Sequence, residues 1–166
     1  MSQKTKTLLL TIPGGGFFWE ANRLRETLKT GFEMKYVTVD DFHPPNDLPF
    51  PAAELHRIHT VTTLSRNSRI QKIKSMLVAL VDSYRVLRRT RPDVLVCVGS
   101  SMSIPLAVIS KLFKIPTYYV ESIARVDCLS QTCQIFLNLN LAKNVYVQWP
   151  EMQNLHPKVI YAGSVV

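Results

Sequence analysis

Apolar residues in this chain fall into two patterns: short continuous runs bounded by glycine or proline, and longer stretches in which they recur every three or four positions. Runs at 7–12, 35–39, 94–98, 115–120, 144–148 and 158–161 predict strands. Continuous rather than alternating apolarity is expected of parallel strands, because both faces of such a sheet are covered. Residues 17–29, 67–89, 100–113 and 128–141 read as helices. Within 67–89, Ile70, Ile73, Leu77, Leu80, Val81, Tyr84 and Leu87 keep helical spacing, and Arg85, Arg88 and Arg89 gather at the negative end of the dipole. Arg91-Pro92-Asp93 ends that helix, since proline brings a ring and no N–H. Strands alternating with helices give the fold class, α/β, as a Rossmann-like parallel sheet flanked by helices. Residues 40–60 contain His43-Pro44-Pro45-Asn46-Asp47 and two further prolines, which predicts a long irregular connection.

With 166 residues, 46% of them hydrophobic, the chain suits one domain spanning 1–166. No apolar run approaches the roughly 18 residues that a membrane span needs. The opening run leads into a glycine turn and reads as a first strand rather than a leader. Three cysteines, Cys97, Cys128 and Cys133, lack metal-type spacing and an even count, so a reducing cytoplasmic setting is expected. Charge is uneven: residues 57–91 carry nine Lys and Arg against the single acid Asp82, a surplus equal to the net +8 of the whole chain. Such a surface suits an anionic partner, whether lipid headgroups, diphosphate groups or nucleic acid, or is merely a solvated helix face. Arg66, Arg69, Lys72 and Lys74, next to Ile70 and Ile73, are the expected membrane-binding residues; the alternative places those isoleucines in the core. Aromatic side chains are not interleaved with the charges, so nucleic acid is not the expected partner.

Two glycine turns follow strands, Pro13-Gly14-Gly15-Gly16 and Gly99-Ser100. Glycine lets backbone approach a ligand, and a following helix presents free N–H groups to phosphate. A dinucleotide fingerprint would want glycine at position 19, where Trp19 stands, although Asp40 lies where a ribose-binding acid would be. No Walker lysine follows either turn. In an open parallel sheet ligands bind beyond the carboxyl ends of the strands, so both turns and Glu121 are expected to converge on one cleft. A helix cap or an ion pair with Arg125 is the plainer role for Glu121. The spacing of His56 and His59 is compatible with one helical turn but further ligands are lacking, so no metal is expected. Trp149 reads as a packed aromatic.

The stretch RPDVLVCVGSSMSIPLAVISKLFKIPTYYVESIARVDCLS, then VYVQWPEM and VIYAGSVV, resembles one family. This is the acceptor-side subunit of heterodimeric oligosaccharide glycosyltransferases, including the enzyme that adds the second N-acetylglucosamine to dolichol-diphosphate-N-acetylglucosamine and bacterial capsule and exopolysaccharide enzymes of the glucuronosyltransferase type. The likeness is strong over 91–166 and weaker over 7–40. It implies the amino-terminal half of a split, inverting GT-B enzyme. A smaller partner would supply the carboxyl-terminal half and most of the UDP-sugar site, with a lipid-diphosphate-linked glycan as acceptor and no cofactor. The resemblance also implies the site: Glu121 as general base or acceptor orienter, and Glu20, where the family commonly has an acid, as second choice. Gly14, Gly15, Gly16, Gly99, Ser100, Ser122 and Arg125 would line loops that receive the acceptor diphosphate or close over the donor. Phe17 stands where the family usually has the histidine of Ser-Gly-Gly-His. That departure leaves the base open and admits a second reading, a catalytically inert adaptor that recruits the partner to membranes. A basic nucleic-acid-binding module is a third. The anchor of eukaryotic members is not seen in this sequence, which implies a peripheral protein on the cytoplasmic face of a membrane.

Overall fold

The computed structural model describes residues 5–43, 49–61 and 69–165. Among them run β1 (Thr7–Thr11), α1 (Gly16–Leu28), β2 (Glu33–Val39), a 3-10 turn (Ala52–Glu54) and β3 (Leu55–Ile58). There follow α2 (Arg69–Thr90), β4 (Val94–Val98), α3 (Ser103–Leu112), β5 (Thr117–Val120), α4 (Gln131–Asn138), β6 (Asn144–Val147), α5 (Pro150–Leu155) and β7 (Ile160–Tyr161). All neighbouring strands pair in parallel, in the order β3-β2-β1-β4-β5-β6-β7. The chain winds outward from β1 to β3 and then returns to lay β4 on the other side of β1. That reversal opens a crevice at the carboxyl ends of β1 and β4, the place where open α/β sheets bind ligands.

Successive strand residues point to opposite faces, and the core divides accordingly. Leu8, Leu10, Tyr36, Val96 and Val98 pack under α1 with Phe18 and Ala21. Leu9, Val37, Leu95, Cys97, Tyr119 and Val145 face the other way, into the layer of α2, α3 and α4. Strand ends are tied by buried threonines: Thr11 Oγ1 accepts from Val98 N at 2.8 Å, and Thr38 Oγ1 donates to the Ile12 carbonyl at 2.7 Å.

Besides α4, which is confined to Gln131–Asn138 rather than 128–141 because Ser130 caps its start, three features differ from the sequence expectation. Residues 55–58 form an edge strand inside what reads as an irregular connection, because Leu-His-Arg-Ile has too few apolar positions to register as buried. Consequently His56 and His59 cannot share a helical turn. His59 Nδ1 instead lies 3.0 Å from Asp40 Oδ2, and Asp40 Oδ1 also accepts from the Thr60 amide and hydroxyl. Burial pushes the Asp40 carboxyl up, but these bonds outweigh it and leave it below the usual carboxylate value. Asp40 thus ties β2 to the end of β3. Second, Pro150 opens a short helix, α5, its missing N–H costing nothing at the first helical position. Third, α3 begins at Ser103 rather than at 100, since Gly99 and Ser100 both take positive φ, 47° and 45°.

Helix α2 carries apolar residues on two sides, one packed on the core and one turned outward. Its packed face is Ser75, Ala79, Ser83, Val86, Leu87 and Thr90, small toward its beginning, which lets it lie close to α3. Ile70 and Ile73 are 75% and 61% exposed, and Leu77, Val81 and Tyr84 continue the stripe outward. The alternative that Ile70 and Ile73 are core is therefore not what the fold adopts. Tyr84 meets Phe113, with ring centroids 5.5 Å apart, so the apolar surface runs on to Leu112 and Phe113 at the end of α3. No helix among the described residues is long and apolar enough to cross a membrane.

Candidate functional site

Loops from four strands meet at the crevice. The turn after β1 is shaped by Gly15, at φ 65°, which glycine adopts without strain, and Gly14 sits against the Phe42 ring, where a Cβ would come within 2.8 Å. The turn after β4 holds Gly99 at φ 47° with the Phe17 ring where its Cβ would be, 2.3 Å away. Only glycine tolerates both the backbone angle and that contact. Phe17 therefore joins the two glycine turns, and Trp19 beside it is 66% exposed. Gly16 opens α1.

One turn into α1 stands Glu20, only 6% exposed. Its carboxylate accepts from Ser122 Oγ at 2.8 Å, the Ile123 amide at 3.1 Å and Gln148 Nε2 at 2.8 Å. Glu121, at the end of β5, is 1% exposed. Its Oε1 accepts from the Ser122 amide and its Oε2 from the Ser130 amide, each at 2.9 Å, and the Tyr119 hydroxyl stands 3.5 Å away. A buried carboxylate is costly unless its oxygens are filled, and charge-assisted bonds of this kind are what make it tolerable. Gln148 Nε2 also donates to the Glu121 carbonyl at 3.0 Å, and Trp149 Nε1 donates to the Ile123 carbonyl at 2.6 Å. The loop from 121 to 130 is thus held at its start, residues 121–123, and at its end, Ser130.

Burial, with the Glu121 charge second, pushes the Tyr119 phenol and the Cys133 thiol well above their ordinary values. Burial likewise pushes Cys97 up to about 12. Both thiols remain protonated at neutral pH and behave as small apolar groups.

These positions bring Glu20, Glu121, Ser122 and the turns at 14–16 and 99–100 together, as expected. Glu121 does not face a cleft, however; it turns inward because two backbone amides capture its oxygens. Arg125 is exposed and no ion pair joins it to Glu121 among the described residues. Arg69 and Lys74 are exposed on α2, Lys72 is half-buried, and Arg66 lies outside the described residues. Sequence reasoning passed over Gln148 and Ser130. A polar amide between the apolar run of β6 and Trp149-Pro150 was the available signal for Gln148; the amide of Ser130 leaves none.

The architecture is that of one Rossmann-like half of a GT-B glycosyltransferase. It superposes on MurG of Acinetobacter baumannii with a TM-score of 0.70 at 14% identity, over 98% of this chain and 45% of that one. The chain therefore spans about half the length of that solved structure. It belongs to the Alg14-like oligosaccharide biosynthesis family, whose model matches residues 46–165. It is similar to the human UDP-N-acetylglucosamine transferase subunit ALG14, 24% identical over 99% of this chain and 85% of that protein. It is also similar to the UDP-N-acetylglucosamine--N-acetylmuramyl-(pentapeptide) pyrophosphoryl-undecaprenol N-acetylglucosamine transferase of Sulfurihydrogenibium sp. (strain YO3AOP1). There the identity is 31%, over 64% of this chain and 31% of that protein.

Proposed function

We propose that this chain is the acceptor-side subunit of a split, inverting glycosyltransferase that extends a lipid-diphosphate-linked glycan from a UDP-sugar. The observation that carries the reading is the likeness, along almost the whole of this chain and 85% of the relative, to a protein named as a UDP-N-acetylglucosamine transferase subunit. The N-acetylglucosaminyl branch of the expected resemblance is the one that name supports. A second, smaller subunit supplies the carboxyl-terminal half and most of the donor site, so the chain alone does not turn over.

In the reaction an acceptor hydroxyl attacks the anomeric carbon of the donor, its proton passes to a base, and the bond from that carbon to the diphosphate breaks. The crevice between the glycine turns receives the acceptor diphosphate on backbone N–H groups. Glu20 and Glu121 orient the acceptor by fixing the loop that carries Ser122 and Ile123 between α1 and β6. Their oxygens are engaged by donors in this structure, which favours the orienting role over that of base.

The outer stripe of α2 keeps the protein on the cytoplasmic face of the membrane, where a lipid-tethered acceptor lies. Ile70, Ile73, Leu77, Val81, Tyr84 and Phe113 enter the interface, and Arg69, Lys74 and Arg88 meet anionic headgroups. The outward direction of these apolar residues favours a lipid surface over a merely solvated charged face.

Vesicle binding tests the acceptor assignment. The isolated chain should bind vesicles that contain a polyprenyl-diphosphate-linked sugar about tenfold or more tighter than vesicles matched in anionic charge but lacking it. It should give no calorimetric signal with UDP-N-acetylglucosamine. Equal affinity for both vesicles, or firm binding of the nucleotide sugar by the isolated chain, would place the acceptor site elsewhere.

A further inference from the structure

Gln148 is 4% exposed and uses both ends of its amide. Toward the interior, Nε2 donates to Glu20 Oε2 at 2.8 Å and to the Glu121 carbonyl at 3.0 Å. Toward the segment after β7, Oε1 accepts from Ser164 Oγ at 3.3 Å and from the Val165 amide at 3.1 Å. One planar group therefore joins α1, the end of β5 and the segment at 164–165. Its two ends cannot be set independently, because rotating the amide to follow the segment withdraws Nε2 from Glu20. The geometry is also directional in charge. An amide, with donors on one side and an acceptor on the other, satisfies a carboxylate and an N–H at once; neither Glu nor an apolar side chain of this size does both.

We infer that Gln148 is a positioning residue that couples the segment 164–165 to the Glu20 and Glu121 loop, so that whatever orders this segment also sets the acceptor site. Glu20 holds Ser122 and Ile123 through its remaining bonds, and a loss of its grip on Gln148 is passed directly to them. Residues 162–165 carry no helix or strand and include Gly163 at φ 102°, a position able to redirect the chain without strain. The inference rests on the proposed function for the meaning of the site, but the coupling itself is testable without it.

Two variants separate the ends of the amide. Gln148→Met removes all four bonds at nearly constant volume, and Ser164→Ala with Val165→Pro removes the donors of the segment while leaving Gln148 in place. Hydrogen exchange of the isolated chain should show the segment variant losing protection at residues 121–125, remote in sequence, by at least about tenfold. In the Gln148→Met background the same segment change should add nothing, since the link is already cut. In the assembled enzyme at saturating partner, each variant should lower kcat by about tenfold or more, the combination no further, with KM for the UDP-sugar within about threefold of wild type. Exchange effects confined to the segment, or additive losses of kcat, overturn the coupling. A wild-type pair that transfers nothing overturns the proposed function and the positioning role with it. A transferring pair indifferent to both variants overturns the positioning role alone.

Discussion

Glu121→Gln in the assembled enzyme is expected to lower transfer by about two to three orders of magnitude and to lower the melting temperature of the chain at the same time. Glu121 offers one oxygen to the Ser122 amide and the other to the Ser130 amide. Glutamine keeps the shape but replaces one oxygen with NH2, so in either orientation a donor faces a donor. The backbone N–H left without an acceptor is buried, which costs about 1–3 kcal/mol. Released at one end, the loop no longer holds Ser122 and Ile123 against Glu20, and an acceptor displaced by about 1 Å loses on the order of a hundredfold in rate. Calorimetry of the chain and single-turnover transfer by the pair check this together. A fall in transfer with an unchanged melting temperature would return Glu121 to the role of base. Normal transfer would remove it from the site.

The second large effect concerns membrane attachment. Replacing Ile70, Ile73 and Leu77 with Asn is expected to weaken binding to anionic vesicles by about a hundredfold or more, because each such side chain gains about 1.5–3 kcal/mol when fully buried in an apolar phase. Stability should hardly change, since all three are already exposed in the fold. Changing Arg66, Arg69, Lys72 and Lys74 to Gln should also weaken binding, each charge near the lipid contributing about 1 kcal/mol. Salt should weaken the wild type in the same direction. Lys72, half-buried, should contribute less than Arg69 or Lys74. Co-sedimentation across a salt series reads both arms, and salt-insensitive, undiminished sedimentation of both variants would exclude this surface.

Most strands were legible because a parallel sheet demands continuous apolar runs, and 94–98 or 117–120 have no other reading. The edge strand at 55–58 was not, since among the described residues only one side of it pairs with another strand and its polar residues are tolerated there. Helix α2 was legible as a helix; the outward side of Ile70 and Ile73 was one of the two orientations the sequence left open, while Leu87 of the same stripe is buried. Periodicity locates an apolar stripe without saying what faces it, and here Ser75, Ala79 and Ser83 take the packed side. At the site, convergence of the glycine turns with Glu20 and Glu121 followed from strand order, because parallel strands deliver their following loops to one edge. The inward turn of Glu121 depends on the chain returning nine residues later to present the Ser130 amide, a tertiary fact that no local pattern encodes. Gln148 was hidden for the same reason: its partners lie in α1, after β5 and after β7.

The central claim, that this chain carries the acceptor half of a two-subunit transferase, is tested most directly by reconstitution. The chain would be combined with a carboxyl-terminal GT-B half from an Alg14-family system, UDP-N-acetylglucosamine labelled in the sugar, and a polyprenyl-diphosphate-linked N-acetylglucosamine in vesicles. The account predicts label in the lipid fraction with inverted anomeric configuration when both subunits are present, and none with either subunit alone. Robust transfer by this chain without the partner, or no transfer by a pair shown to associate on acceptor-bearing vesicles, would contradict it.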